Sequence, residues 1–184
     1  MGEQWISGKV DLKPTTRALY ESILSTHVIP RWTSVPIARV QHGDVQAWVA
    51  ELHAKGLSGG HVRKICGVLS GILSLAVKDR RLPSNPADGI NLPRAREEER
   101  RYLTAAQVFE LADAAASLPP DRPKRGTDAA FGQYRLVVLV LAYCGLRWSE
   151  LTGLKVKRVD VLRRRLTVAE AVVEVNGSRL EWGT

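Results

Sequence analysis

The amino-acid sequence predicts a mainly α protein in two parts: a compact helical bundle first, then the beginning of an α+β unit with a small antiparallel sheet. Three observations carry this. Up to Ala87, apolar residues recur three and four apart in segments closed by glycine or proline, the period of helices that bury one face. A charged stretch, Arg94 to Arg101 (RAREEERR), interrupts that pattern directly after Pro93. Beyond Val156 the period shortens to that of strands, with Leu166, Val168, Val172, Val173 and Val175 ahead of an Asn176-Gly177 hairpin turn.

In the bundle, Thr15 and Thr16 are placed to cap a helix that carries Leu19, Tyr20, Ile23, Leu24 and His27 on one side and ends near Pro30. A second helix shows Val45, Trp48, Val49 and Leu52 and stops at Gly56; His42-Gly43 is a weak start for it. The third has Ser58 as cap and Val62, Ile65, Cys66, Leu69, Ile72, Leu73 and Ala76 as its apolar face. Asn85-Pro86, a cap residue before proline at the first helical position, predicts a short fourth helix. Residues 1–93 therefore read as one domain, 94–101 as a linker and 102–184 as a second, truncated domain. A charged solvated turn within a single domain is the competing account of 94–101. After it, Thr104 with Gln107 makes a capping box for a helix with Val108, Leu111, Ala112 and Ala115. A stiff basic loop, Leu118 to Thr127, comes next. Asp128 then caps a buried helix whose apolar run, Leu136 to Ala142, ends at Gly145, and Leu180 and Trp182 fall on the strand returning from the hairpin.

Twenty-seven Lys and Arg against 19 Asp and Glu give a net charge of +8. The excess is even: 11 basic and 7 acidic residues through Pro93, 16 and 12 after it, so four in each half. Such a distribution suits a protein lying along a polyanion, although a basic soluble protein without such a partner has the same composition. Cys66 and Cys144 stand far apart in apolar segments without metal-ligand spacing and read as small buried hydrophobes in a reducing compartment. No signal peptide and no apolar run of membrane-spanning length is evident, so the expectation is a cytoplasmic protein with no membrane partner.

The residues that carry chemistry centre on Tyr143 to Leu151, YCGLRWSEL. An apolar helix, a glycine stop and an arginine two residues later hold a guanidinium on a rigid scaffold, where it can give two hydrogen bonds to a phosphate. Glu150, one helical turn beyond Arg147, can orient that group; the bland alternative is an ordinary surface ion pair at i, i+3. A second signal lies on the third helix. Opposite its apolar face run Gly60, Arg63, Lys64, Gly67, Ser70, Gly71, Ser74 and Lys78. Glycine within a helix costs about 1 kcal/mol against alanine, so Gly67 and Gly71 want a reason. Close approach to a DNA backbone and close crossing of a neighbouring helix both supply one. Ser58, His61, Arg63 and Lys64 are the candidate phosphate contacts here, joined by Lys124, Arg125 and Arg158 from basic loops that also include Lys155, Lys157 and Arg163 to Arg165. The four histidines, His27, His42, His53 and His61, show no metal spacing; His27 and His53 read as helix-face residues. No Ser-His-Asp or Cys-His set can be assembled, and Ser58-Gly59-Gly60 lacks the ending of a phosphate-binding loop.

These strings, in this order, resemble the tyrosine recombinases, the phage integrase family. LKPTTRALYESILSTHVIPRW (Leu12 to Trp32), DVQAWVAEL (Asp44 to Leu52), VRKICGVLSGILSLAVKD (Val62 to Asp79) and Asn85-Pro86-Ala87 look like a SAM-like core-binding domain. RYLTAAQV (Arg101 to Val108) resembles the entry to the catalytic domain, and YCGLRWSELTGL (Tyr143 to Leu154) its first arginine box. The resemblance implies two domains that clamp double-stranded DNA at an attachment or recombination site. It implies strand cleavage by a tyrosine through a 3′-phosphotyrosine, without metal or other cofactor, and a homotetramer on DNA for the full-length parent. Arg147 matches the first catalytic arginine and Glu150 the acidic residue after it.

Other parts of that active site have no match. Tyr20, Tyr102, Tyr134 and Tyr143 all precede Arg147, no histidine follows His61, and the hairpin lysine would be expected just past Thr184. Lys155 and Lys157 come too early for that place. The expectation is that this chain alone is inactive, being the DNA-binding portion of an integrase; the alternative is a non-catalytic truncated integrase that regulates or remains as a remnant.

Overall fold

The computed structural model describes residues 1–94, 99, 101–117, 132–175 and 179–183. It divides into two compact units, Met1–Glu98 and Glu99–Thr184. The first opens with a short helix, α1 (Gly2–Ser7), that has no clear periodic signal, followed by α2 (Pro14–Ile23). Lys13 is the N-cap of α2 and Pro14 its first residue, so Thr15 and Thr16 lie inside the first turn and do not cap it. Proline suits that position because its missing N–H would be unpaired there in any case. Nor does the helix end at Pro30. A π turn, Leu24–Val28, widens it so that the Ile29 N–H reaches back to the Leu24 carbonyl. The proline is thereby taken into α3 (Ile29–Trp32) without breaking the rod.

Helix α4 (His42–Ala54) starts from Gln41, whose N–H donates to the Asp44 carboxylate at 3.1 Å; His42 and Gly43 are its first two residues. Gly56, at φ +84°, turns the chain out of it. The 20-residue α5 (Gly59–Lys78) is the axis of the unit, with the Ser58 hydroxyl accepting from the His61 N–H at 3.3 Å. Val62, Ile65, Cys66, Leu69, Ile72, Leu73 and Ala76 are buried together with Ile23, Trp32, Val45, Trp48 and Leu52. Trp32 and Trp48 meet edge to face at 5.6 Å. By length and composition α5 is apolar enough to cross a membrane, contrary to the sequence expectation. Its apolar face is the core of this unit.

The small-residue stripe on α5 has more than one explanation. A Cβ on Gly71 would lie 2.7 Å from the Trp5 indole, so this glycine admits α1. Ser70 and Ser74 serve Asn85, whose amide donates to the Ser74 hydroxyl at 2.9 Å and to the Ser70 hydroxyl and carbonyl at 3.1 and 3.2 Å. Gly67 has open space where its Cβ would be. Opposite results are therefore expected from one substitution at two sites. Gly71→Ala should destabilise the unit by roughly 1 to 3 kcal/mol, because a ring must move. Gly67→Ala should stabilise it by about 0.5 to 1 kcal/mol through helix propensity. Urea denaturation of both variants checks this, and equal shifts would refute the assignment of Trp5 to Gly71.

No helix forms after Asn85-Pro86. The Asn85 side chain accepts from the Ala87 N–H at 2.9 Å and closes a turn, and the amide is turned inward to α5. The following residues run as a strap over α4 and α5. The Gln46 side chain exchanges two hydrogen bonds with the main chain of Asn91, His42 Nδ1 lies 3.1 Å from the Pro86 carbonyl, and Arg63 Nε donates to the Pro93 carbonyl at 3.1 Å. Gly59 is required beneath it, since a Cβ there would sit 2.4 Å from the Arg94 carbonyl oxygen. Of the linker read at 94–101, residues 95–98 and 100 lie outside the described residues.

In the second unit, α6 (Ala105–Ser117) begins with the expected reciprocal cap. The Gln107 side chain accepts from the Thr104 N–H at 2.9 Å, and the Gln107 N–H donates to the Thr104 hydroxyl at 3.3 Å. It packs along α7 (Gly132–Cys144), tied by Arg135 to Asp113 and by the Phe109 and Tyr143 rings 6.1 Å apart. The buried helix expected here is only half-buried, with Leu136 63 % exposed and Cys144 exposed. Among the described residues α6 and, near its end, α8 cover only part of its circumference, whereas LVVLVLA is apolar all round. Asp128, proposed as its cap, and the Asn176-Gly177 turn lie outside the described residues.

Gly145, at φ +66°, ends α7 and leads to α8 (Trp148–Thr152). Two separate antiparallel pairs follow, β1 (Val159–Asp160) with β2 (Arg165–Leu166) and β3 (Ala171–Val175) with β4 (Arg179–Gly183). In the second pair Val172 stands opposite Trp182 and Glu174 opposite Leu180. Val168 belongs to no strand. Gly153 brings the end of α8 against β3: a Cβ on it would lie 2.9 Å from the Glu170 carbonyl oxygen.

Candidate nucleic-acid interface

The arginine turn is built by three neighbours in sequence. Gly145 takes the left-handed conformation that an L side chain resists, so the chain reverses at once after α7. Arg147 follows in extended backbone as the N-cap of α8. Its own N–H donates to Glu150 Oε2 at 2.8 Å, while Nη1 stands 3.5 Å from Glu150 Oε1. One carboxylate thus holds both the main chain and the side chain of Arg147. The guanidinium is 84 % exposed, against 23 % for the Glu150 side chain, so the cation faces solvent while its anchor is partly covered. This is a tethered, accessible donor with hydrogen-bonding capacity to spare.

Lys155 has a different part. It forms a short ion pair with Glu170 and lies 4.8 Å over the Trp182 ring, joining the segment after α8 to the last strand. The hydrogen bond from Lys155 holds the Glu170 carboxyl below its ordinary range against some desolvation, with Lys157 and Arg158 adding to it. Lys155 is consequently occupied within the unit. Arg163 pairs with Asp160. Arg158 is exposed and, among the described residues, its side chain has no ion-pair partner. Lys124 and Arg125 lie outside the described residues.

On the first unit, Ser58, His61, Arg63 and Lys64 are brought to the start of α5. Lys64 is exposed, and Arg63 is exposed although its Nε is engaged by the strap. The Ser58 hydroxyl is used as the cap, and Gly60 and Gly67 leave open surface beside these residues. A pairing that spacing could not reveal is His27 with His61, 34 positions apart in sequence, whose rings meet edge to face at 5.6 Å.

The chain resembles known proteins in both sequence and fold. It is 30 % identical to tyrosine recombinase XerC 1 of Ralstonia nicotianae over 127 residues, which are 68 % of this chain and 36 % of the relative. It is 31 % identical to tyrosine recombinase XerC of Xylella fastidiosa over 126 residues, 68 % of this chain and 39 % of that one. The chain thus spans little more than a third of these curated relatives. Among solved structures, the Tn1549 transposon integrase in complex with circular intermediate DNA superposes with a TM-score of 0.80 at 23 % identity, covering 99 % of this chain and 57 % of that one, a likeness of fold. No family model matches. With a helical bundle leading into a helical and antiparallel unit that presents an arginine turn, the fold is that of an integrase. The chain belongs to the tyrosine recombinase family.

Proposed function

We propose that this chain is the DNA-binding portion of a phage-type integrase. The whole protein would carry out site-specific recombination by strand breakage and rejoining through a 3′-phosphotyrosine. The observation that carries the reading is the arginine turn: a solvent-facing guanidinium fixed by Gly145 and Glu150, in a chain related to recombinases. The planar cation would bind the scissile phosphate and stabilise charge on its non-bridging oxygens. The attacking tyrosine is not among the four of this sequence, all of which precede Arg147. Double-stranded DNA is the partner, held through phosphates by Lys64, Arg63, Arg158 and their neighbours; the parent protein assembles as a tetramer and works in the cytoplasm. Residues 1–93 form the core-binding domain and 102–184 the first part of the catalytic domain.

Fluorescence anisotropy with a labelled duplex tests this reading. Phosphate-dominated binding releases counterions, so log affinity should fall linearly with log salt, with a slope of about −0.9 per neutralised phosphate. Lys64→Ala and Arg158→Ala should each reduce that slope by about 1 without sequence dependence. Absence of binding at low salt, or affinity indifferent to salt, would refute the proposal.

A further inference from the structure

Beyond the candidate contacts named so far, two further basic side chains, His27 and Lys55, stand near His61 at the start of α5. His27 comes from the π turn of the first rod and His61 from the first turn of α5; Lys55 lies at the C-cap of α4. All three are cationic or can become so, and among the described residues no carboxylate is hydrogen-bonded to or ion-paired with either imidazole. The elements on which they stand are fixed by the core, through Leu24 and Val28, Val49 and Leu52, and Val62 and Ile65. The backbones that carry the two rings are therefore held close together. Both rings are half-buried, whereas Lys55 and Lys64 are exposed. Gly60 leaves open space beside His61.

We propose that His27, His61 and Lys55 form a DNA phosphate site whose affinity is linked to proton uptake by the two imidazoles, an inference that rests on the DNA-binding reading above. In the free protein the His27 ring resists protonation. Burial, then the neighbouring His61 and then Lys55 hold the His27 ring below its ordinary titration range. A phosphodiester placed against the cluster supplies the missing anion and favours the charged form of both rings. Protons are thus taken up when DNA binds. The sign follows from linkage: affinity rises as pH falls through the range of the bound rings and levels off below that of the free ones. Each proton comes from solvent and forms an N–H bond at a ring nitrogen; no other covalent bond changes.

The test is duplex-DNA affinity of the full chain from about pH 8 to about pH 6 at constant ionic strength, bracketing the ordinary histidine range. Each proton taken up steepens the dependence toward tenfold per pH unit, so wild type should tighten by about tenfold or more across the range. His27→Gln and His61→Gln should each flatten the profile, and His53→Gln, on an exposed part of α4, should leave it unchanged. Histidine ring signals of wild type followed by NMR give a readout free of substitutions: both rings should titrate at higher pH with DNA than without. Salt-dependent binding with a flat pH profile, or rings unaffected by DNA, would overturn this proposal and leave the DNA-binding reading intact. No binding at any pH would overturn both.

Discussion

Replacing Arg147 with alanine in a complete recombinase should slow strand cleavage by two to three orders of magnitude while DNA affinity and folding stay near normal. The two halves of this expectation have separate physical causes. The Arg147 guanidinium is solvent-facing, so its removal leaves no cavity and no buried partner stranded. Its main-chain N–H still donates to Glu150, so the start of α8 survives. One phosphate contact among many is a small part of affinity. In the transition state, by contrast, a preorganised donor faces charge that develops only there, and losing one costs roughly 3 to 4 kcal/mol. Arg147→Lys should rescue poorly, because an ammonium cannot give the two parallel hydrogen bonds of the planar group. Glu150→Gln should fall between: the side-chain oxygen can still accept from the Arg147 N–H, but the charge beside the guanidinium is lost. Single-turnover cleavage of a suicide substrate, with affinity measured in parallel, separates these cases. Near-normal cleavage by Arg147→Ala would return the residue to the class of ordinary surface ion pairs.

Ile65→Ala should have the largest effect on stability, a loss of about 2 to 5 kcal/mol. Ile65 is completely buried, midway along the apolar face of α5 and within the core shared with the other helices of the first unit. The removed methylene and methyl groups leave a space that surrounding helices cannot close without shifting. Small domains are stable by about 5 to 15 kcal/mol in total, so a loss of this size brings the unit near its unfolding threshold. Trp32 and Trp48, both in the same core, give a fluorescence signal for denaturant titration. A loss below about 1 kcal/mol would mean that α5 is not the axis of the unit.

What could be read from sequence was set by local repetition. Ser58 and the apolar residues spaced three and four apart specify α5, and Thr104 with Gln107 specifies the start of α6, because both signals fall within a turn or two of helix. The alternation from Val172 to Val175 and from Leu180 to Trp182 likewise matches β3 and β4. Asn85-Pro86 misled for the complementary reason. Its partners, Ser70 and Ser74, lie on a helix that has already ended, and hydrogen bonds across such a gap leave no periodic trace. Pro30 looks like a stop because proline removes one donor, while a π turn accommodates it by shifting the pairing upstream. Apolarity alone makes Leu136 to Ala142 look buried, although burial depends on how many neighbours a helix has. For the candidate site, the GLRWSEL string located Arg147 and Glu150 but could not reveal that one carboxylate holds both ends of the arginine. The His27 and His61 pairing was likewise beyond reach, since it depends on how two helices cross.

The strap over α4 and α5 divides responsibility for its own placement unequally. Three of its four fastenings come from helix side chains, His42, Gln46 and Arg63, and each meets a main-chain group of Pro86, Asn91 or Pro93. Every amino acid offers a carbonyl, and every one except proline an N–H. The identities at positions 91 and 93 are therefore nearly free, whereas 42, 46 and 63 are not. Asn85 is bound to its own chemistry, through an amide that serves two serines, and Ala87, Ile90 and Leu92 pack against the core with their own apolar side chains. In coding terms, the hydrogen-bonded part of this segment's path is recorded in helices that precede it, and only its apolar contacts, at positions 87, 90 and 92, are recorded in the segment itself.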